Sequence, residues 1–515
     1  MKNNNRLLYF LAIVKFILPF LLQNGVYEPH RDEFLYLAEG RHMAWGFMEV
    51  PPLLSVFAWL TNLLGGSMFW IKCWSSLFGA FTFLLMGKII LSLGGKQFAL
   101  LLAFLSLSVS TFLRVHFLFQ PNFLEIFFWT AIAYGAVRFV QTQHNKWLYF
   151  MGACMGLGML SKYSVAFYSI SILIGLLLSK QRKIFANKHL YYAFGLALII
   201  FLPNLIWQYN KHFPVAYHMK QLQKTQLQFV TPASFLLDQL LMNLTVCVIW
   251  IAGLCFVFFS KYAKQYRFLG FAYISVIIIL LIGHGKNYYA LGAYPILFAF
   301  GAYWLEQLTV LRFKVIRYVL IIIPLILAYK SVPIALPIFQ PEKLATFYAD
   351  NHIEKFGALK WEDGENHPLP QDFADMLGWK EMTEKVNKAY QTLDSNEKKN
   401  AIIFCDNYGE AGAVNFYGRN YNLPVCYSDN ASFFYWMPDN LKFNNLVLVT
   451  DDEKEMQHPF IKDFTSAVLF DSITNPFARE KGSLIIVLKG ANENFQTMFN
   501  QKIQADRDKL NIGNK

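Results

Sequence analysis

Eleven mainly apolar stretches separated by short polar breaks fill the first 340 residues, and such a chain has few ways to fold in water. A helix of about 20 such residues crosses the hydrocarbon core of a bilayer. The stretches cover residues 7–24, 68–93, 98–117, 122–140, 147–161, 163–179, 189–208, 234–259, 267–283, 288–305 and 316–336. With 55% hydrophobic and only 16% charged residues, the 515-residue chain is too apolar for a string of ordinary soluble domains. Its 50 Phe, 27 Tyr and 12 Trp suit membrane spans with interfacial aromatic belts. The first stretch, Leu7 to Gln23, has no small-residue cleavage site after it and reads as a retained span.

The net charge of +12 acquires meaning by position. With the N-terminus in the cytoplasm, Lys96, then Arg138 and Lys146, then Lys180, Arg182, Lys183 and Lys188 fall on the inner face. Lys261, Lys264 and Arg267 form the next inner connection, and Arg312, Lys314 and Arg317 the last. Every even-to-odd connection is basic, as positive-inside insertion requires, so the excess charge calls for no nucleic acid partner. The outer face receives 25–67, the turn from Arg114 to Pro121, the break at Lys162, 209–233, the turn from His284 to Asn287, and everything beyond about residue 340.

Within the first outer loop, Asp32 to Trp45 can form a helix with Asp32, Tyr36 and Glu39 along one face. Pro51 and Pro52 then open a short apolar helix that ends at Gly65 and Gly66 and suits a position on the membrane surface. After Pro341 charged and amide residues return. Residues 381–396 read as a helix, and 401–406, 445–450 and 483–488 as short strands, which together predict a small α/β layer; the last residues, 505–515, read as a frayed tail. The expected organisation is a polytopic α-helical membrane unit, 1–340, with its first outer loop at 25–67, followed by an extracytoplasmic α/β unit, 341–515. Cys73, Cys154, Cys247 and Cys255 fall in apolar runs, where a thiol behaves as a small hydrophobe, whereas Cys405 and Cys426 lie in the outer unit, where a disulfide can form.

A carboxylate pair beside a membrane face, Asp32 with Glu33, is costly unless it is solvated, paired or used. Acidic residues in a first helical turn also complement the helix dipole, so the pair alone does not establish chemistry. Its neighbourhood adds more. The run HRDEFLYLAEGRHMAWGFMEVPPL resembles a motif of the superfamily that contains protein O-mannosyltransferases and lipid A aminoarabinose transferases, with Asp32, Glu33, Arg41, His42, Trp45, Gly46, Glu49, Pro51 and Pro52 in matching places. Glu49 replaces the commoner Asp, and the spacing from Phe34 to Tyr36 differs by one residue. FQPNFLEIFFW with Glu125, GLGMLSKYS with Lys162, PNLIWQYNKHFP, KNYYALGAYPILFAFGA and YGEAGAVNFYG follow in the family's order.

The resemblance implies the GT-C glycosyltransferase fold, with about 11 transmembrane helices and a polyprenyl-phosphate sugar as donor. It also implies Asp32 as the base, with Glu33 and Glu125 as orienting, acceptor-binding or metal-binding partners. Transfer from such a donor needs a base for the acceptor proton and cations for the departing phosphate. Arg114, Lys162 and Lys286 are the outer-face cations, with Tyr288 and Tyr289 as hydroxyl donors, although Arg114 could also serve as an interfacial anchor and the tyrosines as belt residues. Arg41, His42 and Glu49 are assigned to acceptor binding or to loop structure. No metal-ligand spacing joins His42, His116, His212, His218 or His284 to Glu33, Glu49 or Glu125, and a divalent ion stays an open cofactor because only some relatives use one. The acceptor class implied is protein, lipid A or polysaccharide. The competing class is a lipid-linked sugar carrier or flippase, but the chain has no internal repeat and its acidic cluster lies in a loop.

Overall fold

A computed structural model describes residues 2–225, 227–310 and 314–512. Each of the eleven apolar stretches is helical, because in lipid the backbone must satisfy its own hydrogen bonds. Among the described residues six helices are long and apolar enough to cross a membrane, and a seventh span arises if Pro232–Leu241 and Leu244–Phe259, bent by 59°, count as one. Others are shorter, such as Gln97–Ser108, Lys146–Met159 and Val165–Leu178. The architecture is that of a multi-pass membrane protein.

The hydrogen bonds sort the connections into two ends. At one end the Lys96 and Ala99 amides donate to Glu306, Gln141 bridges Ser92 and Tyr266, Asn187 donates to Asn145, and Arg317 donates to the Glu306 carbonyl. These are the basic connections of the sequence; Arg312 lies outside the described residues. At the other end the Asn24 amide donates to Pro337, the Leu53 amide to Leu160 and the Thr111 amide to Met242. The helices between these ends touch closely where glycine allows it. A Cβ on Gly301 would stand 1.8 Å from the Ile249 carbonyl oxygen, and one on Gly253 would stand 2.1 Å from that of Leu297. Such small-residue contacts let van der Waals packing join helices that lipid does not push together.

Between α1 (Lys2–Leu22) and α4 (Met68–Ser92), the first long loop holds α2 (Arg31–Glu39) and α3 (Leu53–Leu63). The helix expected to reach Trp45 stops at Glu39. There the chain turns at Gly40, where a Cβ would lie 2.6 Å from Ala58 of α3. Glu39 consequently does not share an open face with Asp32; it is buried and accepts a hydrogen bond from Ser55 at 2.9 Å.

The C-terminal region contains a five-stranded sheet of order β2-β1-β3-β5-β4, formed by β1 (Ala401–Cys405), β2 (Cys426–Tyr427), β3 (Asn445–Thr450), β4 (Phe464–Ser472) and β5 (Leu484–Ala491). β1 runs parallel to β2 and β3, while β5 pairs antiparallel with β3 and β4. The edge strands β2 and β4 were not expected; β2 has only two residues, and β4 is largely exposed and lacks a buried apolar pattern. The expected 381–396 helix is Trp379–Gln391, with a separate turn of helix at Ser395–Lys399. Residues 505–512 of the expected tail instead close a helix, Glu493–Ile512, held by Phe495 and Ile503 against the sheet and by Arg507 paired with Asp439, while 513–515 lie outside the described residues.

Phe34, Leu35 and Ala38 of α2 are buried in one cluster with Trp379, Cys405, Val414 and Val447. The first long loop thus supplies part of the core beneath the sheet, and a buried aromatic such as Phe34 contributes about 1.5–3 kcal/mol to that attachment. Replacing Gly301 by Val should cost at least about 1–3 kcal/mol, since backbone at this contact cannot yield as a side chain would. Thermal unfolding of the detergent-solubilised protein checks this, with Gly195→Ala, which meets nothing within 4 Å, as the substitution expected to leave the midpoint unreduced.

Candidate active site

Asp32 and Glu33 are neighbours in sequence and point to different surroundings. His30 caps α2, its Nδ1 accepting the Asp32 N–H at 3.1 Å, while Glu33 Oε2 accepts the His30 N–H at 2.8 Å. This reciprocal capping box sets the start of the helix. Glu33, with no exposure, also receives Lys72 Nζ of α4 at 2.5 and 2.6 Å and the Phe119 N–H at 2.6 Å. Lys72 is equally enclosed and sits 4.4 Å from the centre of the Phe117 ring. A buried carboxylate and ammonium tolerate desolvation only through such complete pairing. Glu33 therefore ties the loop helix to a long apolar helix and to the turn before Asn122.

Asp32 instead lines a cavity of about 1470 Å³ that is walled both by the end of the helical bundle and by the C-terminal region. Its side chain is 31% exposed. Tyr408 donates to one carboxylate oxygen at 2.7 Å and Gln120 to the other at 3.0 Å. Tyr408 opens the helix Tyr408–Tyr417, which follows β1 and is capped by Asn407 with Glu410. Donors on both oxygens orient the carboxylate while leaving lone pairs for a further proton.

Lining the same cavity, Lys162 occupies the turn between Lys146–Met159 and Val165–Leu178. It donates to Asn122 Oδ1 and to Glu125 Oε2, both at 2.7 Å, and lies 4.5 Å from the Tyr289 ring centre and 5.5 Å from that of Tyr288. Ser164 donates to the other oxygen of Glu125, a residue 2% exposed. Glu125 thus neutralises and aims Lys162. Lys286, Tyr288 and Tyr289 line the cavity together, with Lys286 6.0 Å from the Tyr288 ring centre. Burial lowers the Lys286 pKa, ahead of the opposing attraction of Glu362 and Asp32.

Arg114 is also at the cavity but is already engaged, with Asp372 at 2.5 Å and with the Ile334 and Ala335 carbonyls. The cavity surroundings would raise the Asp372 pKa, yet the Arg114 charge and His30 hold it well below the usual carboxylate range. Glu49 lines the cavity as well; burial pushes it up to about 7 against the pull of a 2.6 Å hydrogen bond from Ser432. His42 and Arg41 belong to the seam between the loop and the C-terminal region. The His42 ring stacks on Trp436 at 4.2 Å, and Arg41 donates to the Asn415 carbonyl.

Sequence reasoning did not single out Lys72, Gln120, Tyr408, His30, Asp372, Asp375 or Arg479. Gln120 and Tyr408 stand inside two of the motifs, and Lys72 is a charge inside an apolar run, so each carried a signal. Of groups able to hold a metal ion, the described residues include His30 with Asp372 and Asp375, and the trio Asp452, Glu455 and His458. Neither contains His42, His116, His212, His218 or His284. In the first group Arg114 and Arg479 already neutralise the two carboxylates.

Residues 49–207 match the sequence family described as dolichyl-phosphate-mannose-protein mannosyltransferase. Among curated proteins none matches the chain. The fold is similar to that of ArnT from Cupriavidus metallidurans in the apo state, with a TM-score of 0.60 and 12% identity over 94% of this chain and 97% of that one. Two structures of Archaeoglobus fulgidus oligosaccharyltransferase are more distant. One, with Zn and sulfate, has a TM-score of 0.45 and 12% identity over 86% of this chain and 68% of the other. The second, AglB with an inhibitory peptide and a dolichol-phosphate, has a TM-score of 0.47 and 11% identity over 88% and 70%.

The pairing of Glu33 with Lys72 makes a sharp stability prediction. Lys72→Met leaves a buried carboxylate without its cation and should destabilise the protein by roughly 3–5 kcal/mol. Adding Glu33→Gln should recover much of that loss, read as the midpoint of thermal unfolding in detergent.

Proposed function

We propose that this chain, a member of the GT-C superfamily, transfers a sugar from a polyprenyl-phosphate donor to an acceptor at the extracytoplasmic face of the membrane. The observation that carries this reading is one cavity lined both by Asp32, with its carboxylate held by two donors, and by the cations Lys162 and Lys286. The description of the family matched by residues 49–207 supplies the donor class, a sugar on a polyprenyl phosphate.

In this reading residues 1–340 form an eleven-span catalytic unit of a cytoplasmic membrane, and 341–515 an outer α/β unit. The acceptor is a group of a protein, of lipid A or of a polysaccharide. Asp32 takes the proton from the acceptor as its oxygen or nitrogen attacks the sugar carbon. The bond from that carbon to the phosphate oxygen breaks, and the polyprenyl phosphate leaves with the electron pair. Lys162 and Lys286 face the charge that grows on that phosphate, and the Tyr288 and Tyr289 hydroxyls add donors. Glu125 holds Lys162 in place, and Glu33 positions Asp32 by fixing the start of α2. A single displacement of this kind inverts the sugar carbon and uses no covalent carboxylate intermediate.

The test is transfer of labelled sugar from purified polyprenyl-phosphate donors to an acceptor extract. Asp32→Asn keeps the side-chain size and removes its basicity, so turnover should fall about 100-fold or more while donor binding survives. Neutralising Lys162 or Lys286 should instead weaken donor use roughly tenfold, the equivalent of one lost charge-assisted contact. Normal transfer by Asp32→Asn rules it out as the base. Movement of intact lipid across vesicles without release of polyprenyl phosphate identifies a carrier instead.

A further inference from the structure

Two thiols in the C-terminal region stand apart from the other four. Cys73, Cys154, Cys247 and Cys255 lie on apolar helices of the bundle. Cys405 closes β1 and Cys426 opens β2, and their Sγ atoms are 3.3 Å apart, with 0% and 1% exposure. The strand register explains the approach. Cys426 is opposite Ile403, and side chains alternate along a strand, so Cys405 and Cys426 share the face that packs on Trp379 and Val447.

The strand that carries Cys426 needs a fastening. β2 is an edge strand of two residues with two paired positions on β1, supported laterally by Asn415, whose side chain exchanges two 2.9 Å hydrogen bonds with the Cys426 backbone. The segment that follows it closes the cavity. Asp429, Asn430, Ala431 and Phe434 line that cavity, Ser432 holds Glu49 and the Met48 amide, and Trp436 stacks on His42.

We infer that Cys405 and Cys426 are joined by a disulfide in the mature protein, which fastens β2 and thereby the strip that covers the cavity. The inference rests on the outer placement of the C-terminal unit, where disulfides persist. The reaction converts two S–H groups to one S–S bond. One thiolate attacks the disulfide of a compartmental oxidant, a thiol–disulfide oxidoreductase or oxidised glutathione, to form a mixed disulfide. The second thiolate then displaces the carrier, which departs as thiol with the two electrons. Burial, followed by the neighbouring Cys426, pushes the Cys405 thiol up well above its ordinary range, so oxidation belongs to folding, before the sheet closes.

Differential alkylation of the full-length protein tests the inference. Cells are quenched in acid without reductant, and the unfolded protein is alkylated with light iodoacetamide, reduced, alkylated with the heavy reagent and mapped by mass spectrometry. Cys405 and Cys426 should carry the heavy label and the other four cysteines the light one. Light label on both overturns the inference. In Cys405→Ser the label on Cys426 should change from heavy to light; heavy label there means another partner and also overturns it. A reporter fused after Lys515, read in the same cells, separates the two levels. Light label with an active extracytoplasmic reporter removes the disulfide alone, and an active cytoplasmic reporter removes the outer placement with it.

Discussion

The buried pair of Glu33 and Lys72 is the constraint on which the arrangement of the site depends. Neither residue has exposed surface, and their 2.5 Å contact joins a loop helix to a helix of 25 residues. Replacing such a pair with apolar groups can be neutral or stabilising, so its presence is better understood as a positional device than as a source of stability. With Glu33 turned inward and capping its own helix, the preceding residue projects into the cavity. Two adjacent carboxylates thereby take separate tasks, one anchoring and one facing solvent.

The remaining charges obey the same division. Two cavity-lining cations take their anionic partner from a different element: Glu125 from Asn122–Thr142 for Lys162, and Asp372 from the C-terminal region for Arg114. The bundle end and the C-terminal region are consequently joined through the cavity walls as well as through the apolar cluster around Phe34. A boundary drawn at residue 340 describes the order of the chain, whereas the core around α2 is built from both sides of it.

The helices of the bundle were legible because apolar runs broken by polar turns leave little choice of structure in lipid. The central strands of the sheet were legible for a similar reason, their runs being buried on both faces, whereas β2 and β4 depend on pairing with β1 and β5 and carry little signal of their own. At the site, Asp32, Glu125, Lys162 and Lys286 could be named from motifs, but the direction of each side chain could not. Glu33 is turned inward by Lys72, 39 residues away. Asp372, Asp375 and Arg479 reach the cavity only because the C-terminal region folds back onto the first loop, a long-range event with no local pattern.

In the proposed mechanism the lipid phosphate sits against Lys162 and Lys286 in the cavity that Asp32 also lines. A structure of the full-length protein with bound polyprenyl phosphate tests this most directly. The expected result is phosphate contacts with Lys162 and Lys286 and an Asp32 carboxylate facing the open space beside that phosphate. A phosphate bound outside the cavity, with both lysines turned from it, would contradict the mechanism.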